Sequence, residues 1–209
     1  MKLILVEGNI GSGKSTFVAL LEKFGPKNYI YLQEPVNIWE TIIDENGKNI
    51  IENFYANQQK YAFSFQMMAY ISRLNSLNNI IKEHGEDVTV ISERSMFTDR
   101  NVFAKMLYDD SKIEKIEYSI YNMWFNSFID KFKDYSIIYV NTPPDICHQR
   151  VINRARKGEE IPLEYLEKCD YYHKNWILND DKEPLNIPHD FNDSIVDSVV
   201  DFINSTNIL

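Results

Sequence analysis

LILVEGNIGSGKS, residues 3–15, decides how the rest of the chain reads. Leu3 to Val6 form a short apolar run of the kind that fills a buried strand, and the run breaks into Gly8-Asn9-Ile10-Gly11-Ser12-Gly13-Lys14-Ser15. That string satisfies every fixed position of the phosphate-binding loop pattern. Its glycines let the backbone turn tightly so that successive N–H groups converge. The following stretch, Thr16 to Phe24, reads as a helix whose positive end faces the same point. Residues 8–16 are therefore expected to cradle a nucleoside triphosphate, with Lys14 on the outer phosphates and the Ser15 hydroxyl on Mg2+.

The remainder alternates strand and helix patterns. Strands are expected at Tyr29–Gln33, Val88–Ser92, Tyr135–Val140 and Leu185–Ile187, and a long amphipathic helix at Gln58–Lys82. Two helices should span Ser95–Asp109 and Lys112–Lys133, and three more Asp145–Ala155, Pro162–Ile177 and Ser194–Ile203, with Ser194 as the cap of the last. The order predicts an α/β fold, a five-stranded parallel sheet flanked by helices. At 209 residues without an internal repeat, a single domain spanning 1–209 is expected.

The formal net charge of −9 disfavours nucleic acid and anionic membrane surfaces as partners and favours small molecules. Cys147 and Cys169 have no metal-type spacing and read as free thiols. With no secretory or membrane-spanning pattern, the chain is expected in the cytoplasm or another reducing intracellular compartment. Asp44-Glu45-Asn46-Gly47 fits a GTPase switch pattern, but the chain has no Asn-Lys-X-Asp guanine motif.

Charged residues stand where a phosphate site needs them. Glu34 and Glu93 each end an apolar strand, the edge of an α/β sheet at which ligands sit. Gln66 and Arg73 lie seven apart on the long helix and should project the same way. Arg150, Arg154 and Arg156 cluster before a Lys157-Gly158-Glu159-Glu160 turn, a clamp for phosphates in an otherwise acidic chain.

In order and spacing, GNIGSGKS, QEPV with Trp39, FSFQ continuing to ISRL, ERSMFTDR and RARKGEEIPLEYL resemble the deoxynucleoside kinases, the family that includes deoxycytidine, deoxyguanosine and mitochondrial thymidine kinases. The resemblance runs from residue 3 to about residue 177. It implies a P-loop kinase fold with an arginine-rich lid at about 150–161, ATP as donor, Mg2+, and a homodimer. The apolar stripe of residues 113–132 reads equally as core or as subunit interface.

The resemblance also distributes roles. Glu34 becomes the general base for a 5′-hydroxyl, Arg94 its holder beside the reacting phosphoryl, and Glu93 the partner of Ser15 at the metal. Arg150, Arg154 and Arg156 become the lid that brings charge to the donor. Gln66 would pair with the base edge, Trp39, Phe65 and Phe103 would wall the base, and Tyr55 with Glu159 would hold the 3′-hydroxyl, Glu160 being the alternative to Glu159. Arg73 with Asp99 marks the deoxycytidine and deoxyguanosine branch, and so predicts those acceptors over thymidine. The competing readings are a broad-specificity kinase that also accepts thymidine, a thymidylate-type monophosphate kinase, and a nucleotide-dependent switch or binding module. Glu34 at the acceptor position disfavours an acceptor that is already phosphorylated.

Overall fold

A computed structural model describes residues 1–206 of the chain. Five strands, β1 Lys2–Glu7, β2 Ile30–Leu32, β3 Thr89–Glu93, β4 Tyr135–Asn141 and β5 Leu185–Pro188, form one sheet in the order β2-β3-β1-β4-β5. Every neighbouring pair is parallel. The helices are α1 Lys14–Phe24, α2 Val36–Glu40, α3 Ile50–Ala56, α4 Gln58–His84, α5 Met96–Thr98, α6 Lys105–Asp109, α7 Lys115–Phe128, α8 Pro144–Arg154, α9 Leu163–Leu178 and α10 Ile195–Ser205.

Both faces of the central strands are covered, which is why those strands are continuously apolar rather than alternating. Leu3, Leu5, Ile137 and Tyr139 pack with Tyr70, Leu74 and Leu77 of α4 and with Tyr121 and Phe125 of α7. Ile4, Val6, Ile138 and Val140 point the other way, onto Phe17, Val18 and Leu21 of α1 and Val196, Val199 and Ile203 of α10. β1 has β3 on one side and β4 on the other, so the chain changes direction across the sheet at β1. The crevice at the carboxyl end of β1 is the switch point where such sheets bind ligands. The ends of β1, β2 and β3 deliver the loop, Glu34 and Glu93 to it. No helix among the described residues is long and apolar enough to cross a membrane.

Several boundaries depart from expectation. The Ser95–Asp109 segment is not one α-helix: a π-helical turn, Asp99–Ala104, separates α5 from α6. β2 is only Ile30–Leu32. Ser194 does not cap α10; its hydroxyl and its N–H both donate to Asn192 Oδ1. Pro162 is the residue before α9 rather than within its first turn, and Leu163, the first residue of the helix, is exposed.

On α7, Ile116, Ile120, Met123, Trp124 and Phe128 are exposed, whereas Tyr121 and Phe125 face the core. The stripe of residues 113–132 is therefore split, with Ile113, Ile129 and Phe132 also buried and one face of α7 left exposed. Cys147 and Cys169 are free and buried, and burial pushes their thiols up to about 11 and about 12, so both are unreactive.

Candidate active site

The loop after β1 is braced from behind. Gly11 and Gly13 take φ of +79° and +103°, the left-handed region open to glycine. A Cβ at Gly11 would lie 2.5 Å from the Cys147 carbonyl oxygen, so α8 backs directly onto the loop. Thr142 Oγ1 and Arg150 Nη1 each donate to the Ser12 carbonyl at 2.8 Å, and Asn9 Nδ2 donates to the Leu166 carbonyl at 2.8 Å. Lys14 Nζ donates to the Asn9 carbonyl at 2.6 Å, curled over the loop. Burial, then the positive charge of Arg94, brings the Lys14 ammonium down to about 7 despite the carboxylates of Glu93, Glu34 and Glu7.

Opposite the loop, Ser15 Oγ donates to Glu93 Oε1 at 2.6 Å, and the Glu34 N–H donates to Glu93 Oε2 at 3.3 Å. Glu34 Oε1 accepts from Arg94 Nε at 3.1 Å and from Arg73 Nη2 at 3.0 Å. Burial works against the Glu34 charge, but Arg94, Arg73 and Lys14 together outweigh it and hold the carboxyl well below the usual carboxylate range. Arg94 has a φ of +63°, uncommon for a residue with a Cβ. Its N–H donates to Val6, Ser92 Oγ donates to its carbonyl, and its guanidinium lies 4.8 Å over the Phe103 ring.

Arg73 is 1% exposed and fully engaged: Nε donates to Asp99 Oδ2 at 3.0 Å and Nη1 to the Glu93 carbonyl at 3.0 Å. Asp99 and Phe103 both line the cavity from the π-helical turn. That wider turn, with more residues per turn than an α-helix, keeps residues four apart more nearly in line. π-Helical insertions of this kind recur at functional sites.

The cavity holds about 500 Å³. Gln66, Trp39, Phe65, Tyr55, Asp99, Phe103 and Glu159 line it together with the loop residues Gly11, Gly13, Lys14, Ser15 and Thr16 and with Glu34, Glu93 and Arg94. Gln66 is 2% exposed, and its Oε1 has no hydrogen-bond partner among the described residues. A buried amide oxygen left open in a cavity wall is suited to a ligand donor. Phe65 stacks on Phe54 at 4.5 Å and meets Trp39 edge-on at 5.7 Å, forming an aromatic cluster at the cavity wall.

Glu159 accepts from Arg154 Nη2 at 2.6 Å and lies 3.7 Å from Arg156 Nη1. Its side chain is 5% exposed while Glu160 is exposed, so the geometry favours Glu159 of the two. Arg150 differs from its neighbours, since its guanidinium is spent on the Ser12 and His189 carbonyls.

Gly8, Asn9, Ser12 and Arg73 sit behind the cavity surface and support it. Gln33, Val36, Ile51, Phe54, Ala69 and Tyr165 line it without having been singled out from sequence. Ile51, Phe54 and Tyr165 carry the apolar pattern of core residues, which hides a cavity position.

Comparison with known proteins adds to this geometry. A family model described as deoxynucleoside kinase matches residues 4–206. Human deoxycytidine kinase is 32% identical, with 98% of this chain and 92% of that one covered. A probable deoxycytidine kinase of Fowlpox virus (strain NVSL) is 32% identical over 99% of this chain and 90% of its own. The mitochondrial deoxyguanosine kinase of Xenopus laevis is 30% identical over 85% of this chain and 73% of its own.

Proposed function

The chain belongs to the deoxynucleoside kinase family and phosphorylates deoxynucleosides at the 5′-hydroxyl; we propose that deoxycytidine and purine deoxynucleosides are its preferred acceptors over thymidine, with ATP as donor. The observation that carries the preference is the buried Arg73–Asp99 pair: Asp99 lines the same cavity as Gln66, and Arg73 holds it from behind. The Asp99 carboxylate can accept from an exocyclic amino group and leaves little welcome for a 5-methyl group.

Phosphoryl transfer asks for an in-line acceptor, a proton acceptor and positive charge around the moving oxygens. Glu34 takes the 5′-hydroxyl proton. Its depressed basicity is compatible with this role because little nucleophile activation is needed before the bond to the leaving oxygen weakens, so proton transfer comes late. Arg94, bound to Glu34 and directed at the Gly8 carbonyl, keeps that carboxylate aimed beside the loop. Lys14 and the loop N–H groups receive the outer phosphates.

Arg154 and Arg156 supply further charge from the lid, while Glu159 and Tyr55 hold the 3′-hydroxyl and Trp39, Phe65 and Phe103 enclose the base. Ser15 and Glu93 suit Mg2+, which takes one or two protein ligands and the rest from phosphates and water; when bound, it neutralises phosphate charge. All of this fits within one domain, since both core layers share the same sheet. The exposed apolar face of α7, with Ile71 of α4, supports a homodimer.

A coupled assay with ATP over the four deoxynucleosides tests the reading. Deoxycytidine or a purine deoxynucleoside is expected to have the highest kcat/KM. Preference for thymidine would overturn the base assignment, and preference for a monophosphate acceptor the reaction.

A further inference from the structure

Glu52 serves two elements at once. On α3 it completes a capping box: its Oε2 accepts the Asn49 N–H at 3.0 Å, and its own N–H donates to Asn49 Oδ1 at 2.9 Å. Its other oxygen, Oε1, faces Lys157 Nζ of the lid at 3.0 Å. The next lid residue, Gly158, has a φ of +74°, and a Cβ there would fall 2.5 Å from Glu52 Cγ and 3.0 Å from Glu52 Cα. The lid backbone thus rests on the side chain and backbone of α3 as closely as glycine allows. Glu52 and Tyr55 lie one helical turn apart, and Gly158 and Glu159 are adjacent, so this contact sets the spacing between the two residues read above as the 3′-hydroxyl pair.

We propose that Glu52 is a positioning residue that latches the lid onto α3 and so holds Glu159 in register with Tyr55 for the sugar 3′-hydroxyl. The latch rests on that reading of Tyr55 and Glu159. Lys157 is 82% exposed, so its ion pair contributes the smaller share and the close approach at Gly158 the larger. Glu159, by contrast, is already pinned by Arg154 and shielded at 5% exposure, so the latch orients a side chain whose charge is in place.

The test compares deoxycytidine with 2′,3′-dideoxycytidine as acceptors for the wild type and for G158A, K157M, K157R, E52Q and the E52Q/K157M double variant. Gln at 52 keeps an oxygen for the Asn49 cap, and residues 157 and 158 lie outside the core, so folding is preserved. G158A is expected to raise KM for deoxycytidine about tenfold, from the left-handed backbone and the clash, with KM for the dideoxy acceptor nearly unchanged. K157M should raise it about two- to fivefold, K157R should restore it, and the double variant should be no worse than K157M alone. A G158A enzyme whose two KM values rise together, or do not rise, would overturn the latch. A wild-type enzyme that uses both acceptors equally well would instead overturn the 3′-hydroxyl reading of Glu159, which separates the two failures.

Discussion

Arg73 Nη2 lies 3.0 Å from Glu34 Oε1, joining a residue assigned to base selection to one assigned to proton transfer. From sequence, Arg94 alone was expected to hold Glu34; the two guanidinium groups share it. Changing the base preference therefore costs catalytic rate. R73M/D99A is expected to raise the thymidine to deoxycytidine ratio of kcat/KM about tenfold or more and to lower kcat for deoxycytidine. R73M alone leaves Asp99 buried without its partner and should lose about 3–5 kcal/mol of stability, more than the double variant, which removes both charges. Kinetics on both nucleosides and denaturant unfolding check this; an unchanged ratio in the double variant sinks the specificity argument.

Glu34→Gln should lower kcat by about 10²–10⁴ with a smaller change in KM. Because the arginines hold the Glu34 carboxyl below its usual 4.5, it stays ionised through weakly acidic conditions, and kcat/KM should show no acid limb from this group down to about pH 5. The same shift stabilises the fold. The contribution is fully present above the unfolded-state pKa and is lost as pH falls through the lower folded value, so the stability gap between wild type and E34Q should close in acid. Full nucleoside kinase activity in E34Q would overturn the general-base assignment.

How much of this was legible depended on whether a residue's surroundings are local. The loop, the end of β3 at Glu93 and the parallel sheet follow from short apolar runs broken by glycine or charge and lie where the sequence predicts them, whereas β2 stops at Leu32, two residues before Glu34. The π-helical turn at Asp99–Ala104 was not legible, because a single wide turn leaves no repeat in the pattern. The Arg73–Glu34 contact joins residues 39 apart in the chain, and the Glu52–Gly158 approach joins α3 to the lid; neither has a local signature. Ser194 failed as a cap because Asn192, two residues earlier, captured its hydroxyl.

Lys14 sits near 7 in the free protein because burial and Arg94 disfavour its charge. Triphosphate supplies the compensating negative charge, so binding above neutral pH should draw in a proton. Calorimetry of ATP binding at about pH 8, in buffers of different ionisation enthalpy, is expected to report an uptake of roughly one proton that disappears in K14M. KM for ATP should rise as pH goes above about 7. Equal enthalpies in every buffer would contradict the assignment.

Ser15 Oγ and Glu93 Oε1, 2.6 Å apart, are the two protein groups proposed above for Mg2+, so losing one should be felt in the metal requirement. E93Q and S15A are each expected to need about tenfold more Mg2+ for half-maximal rate. At saturating Mg2+, S15A should recover more of its kcat than E93Q, since Glu93 also receives the Glu34 N–H. A Mg2+ titration indistinguishable from wild type in both variants would remove the pair from the metal site.

Trp124 and Phe128 stack at 5.7 Å on the outer face of α7, continuous with exposed Ile116, Ile120 and Met123. An apolar face of that kind is covered most simply by a second copy, since a stable interface needs about 800 Å² from each partner. Light scattering at micromolar concentration should return twice the chain mass for the wild type and the single-chain mass for W124E. None of the residues lining the cavity comes from α7. On its inner side, Arg100 of the π-helical turn donates to Asn122 and lies over Phe125, so α7 braces the turn that carries Asp99 within the same chain. The monomeric variant should therefore keep kcat/KM for deoxycytidine within about threefold of wild type, a difference of less than 1.4 kcal/mol in transition-state stabilisation. A monomer that is inactive yet folded would mean that the partner supplies something to the site, and an unchanged mass would place the interface elsewhere.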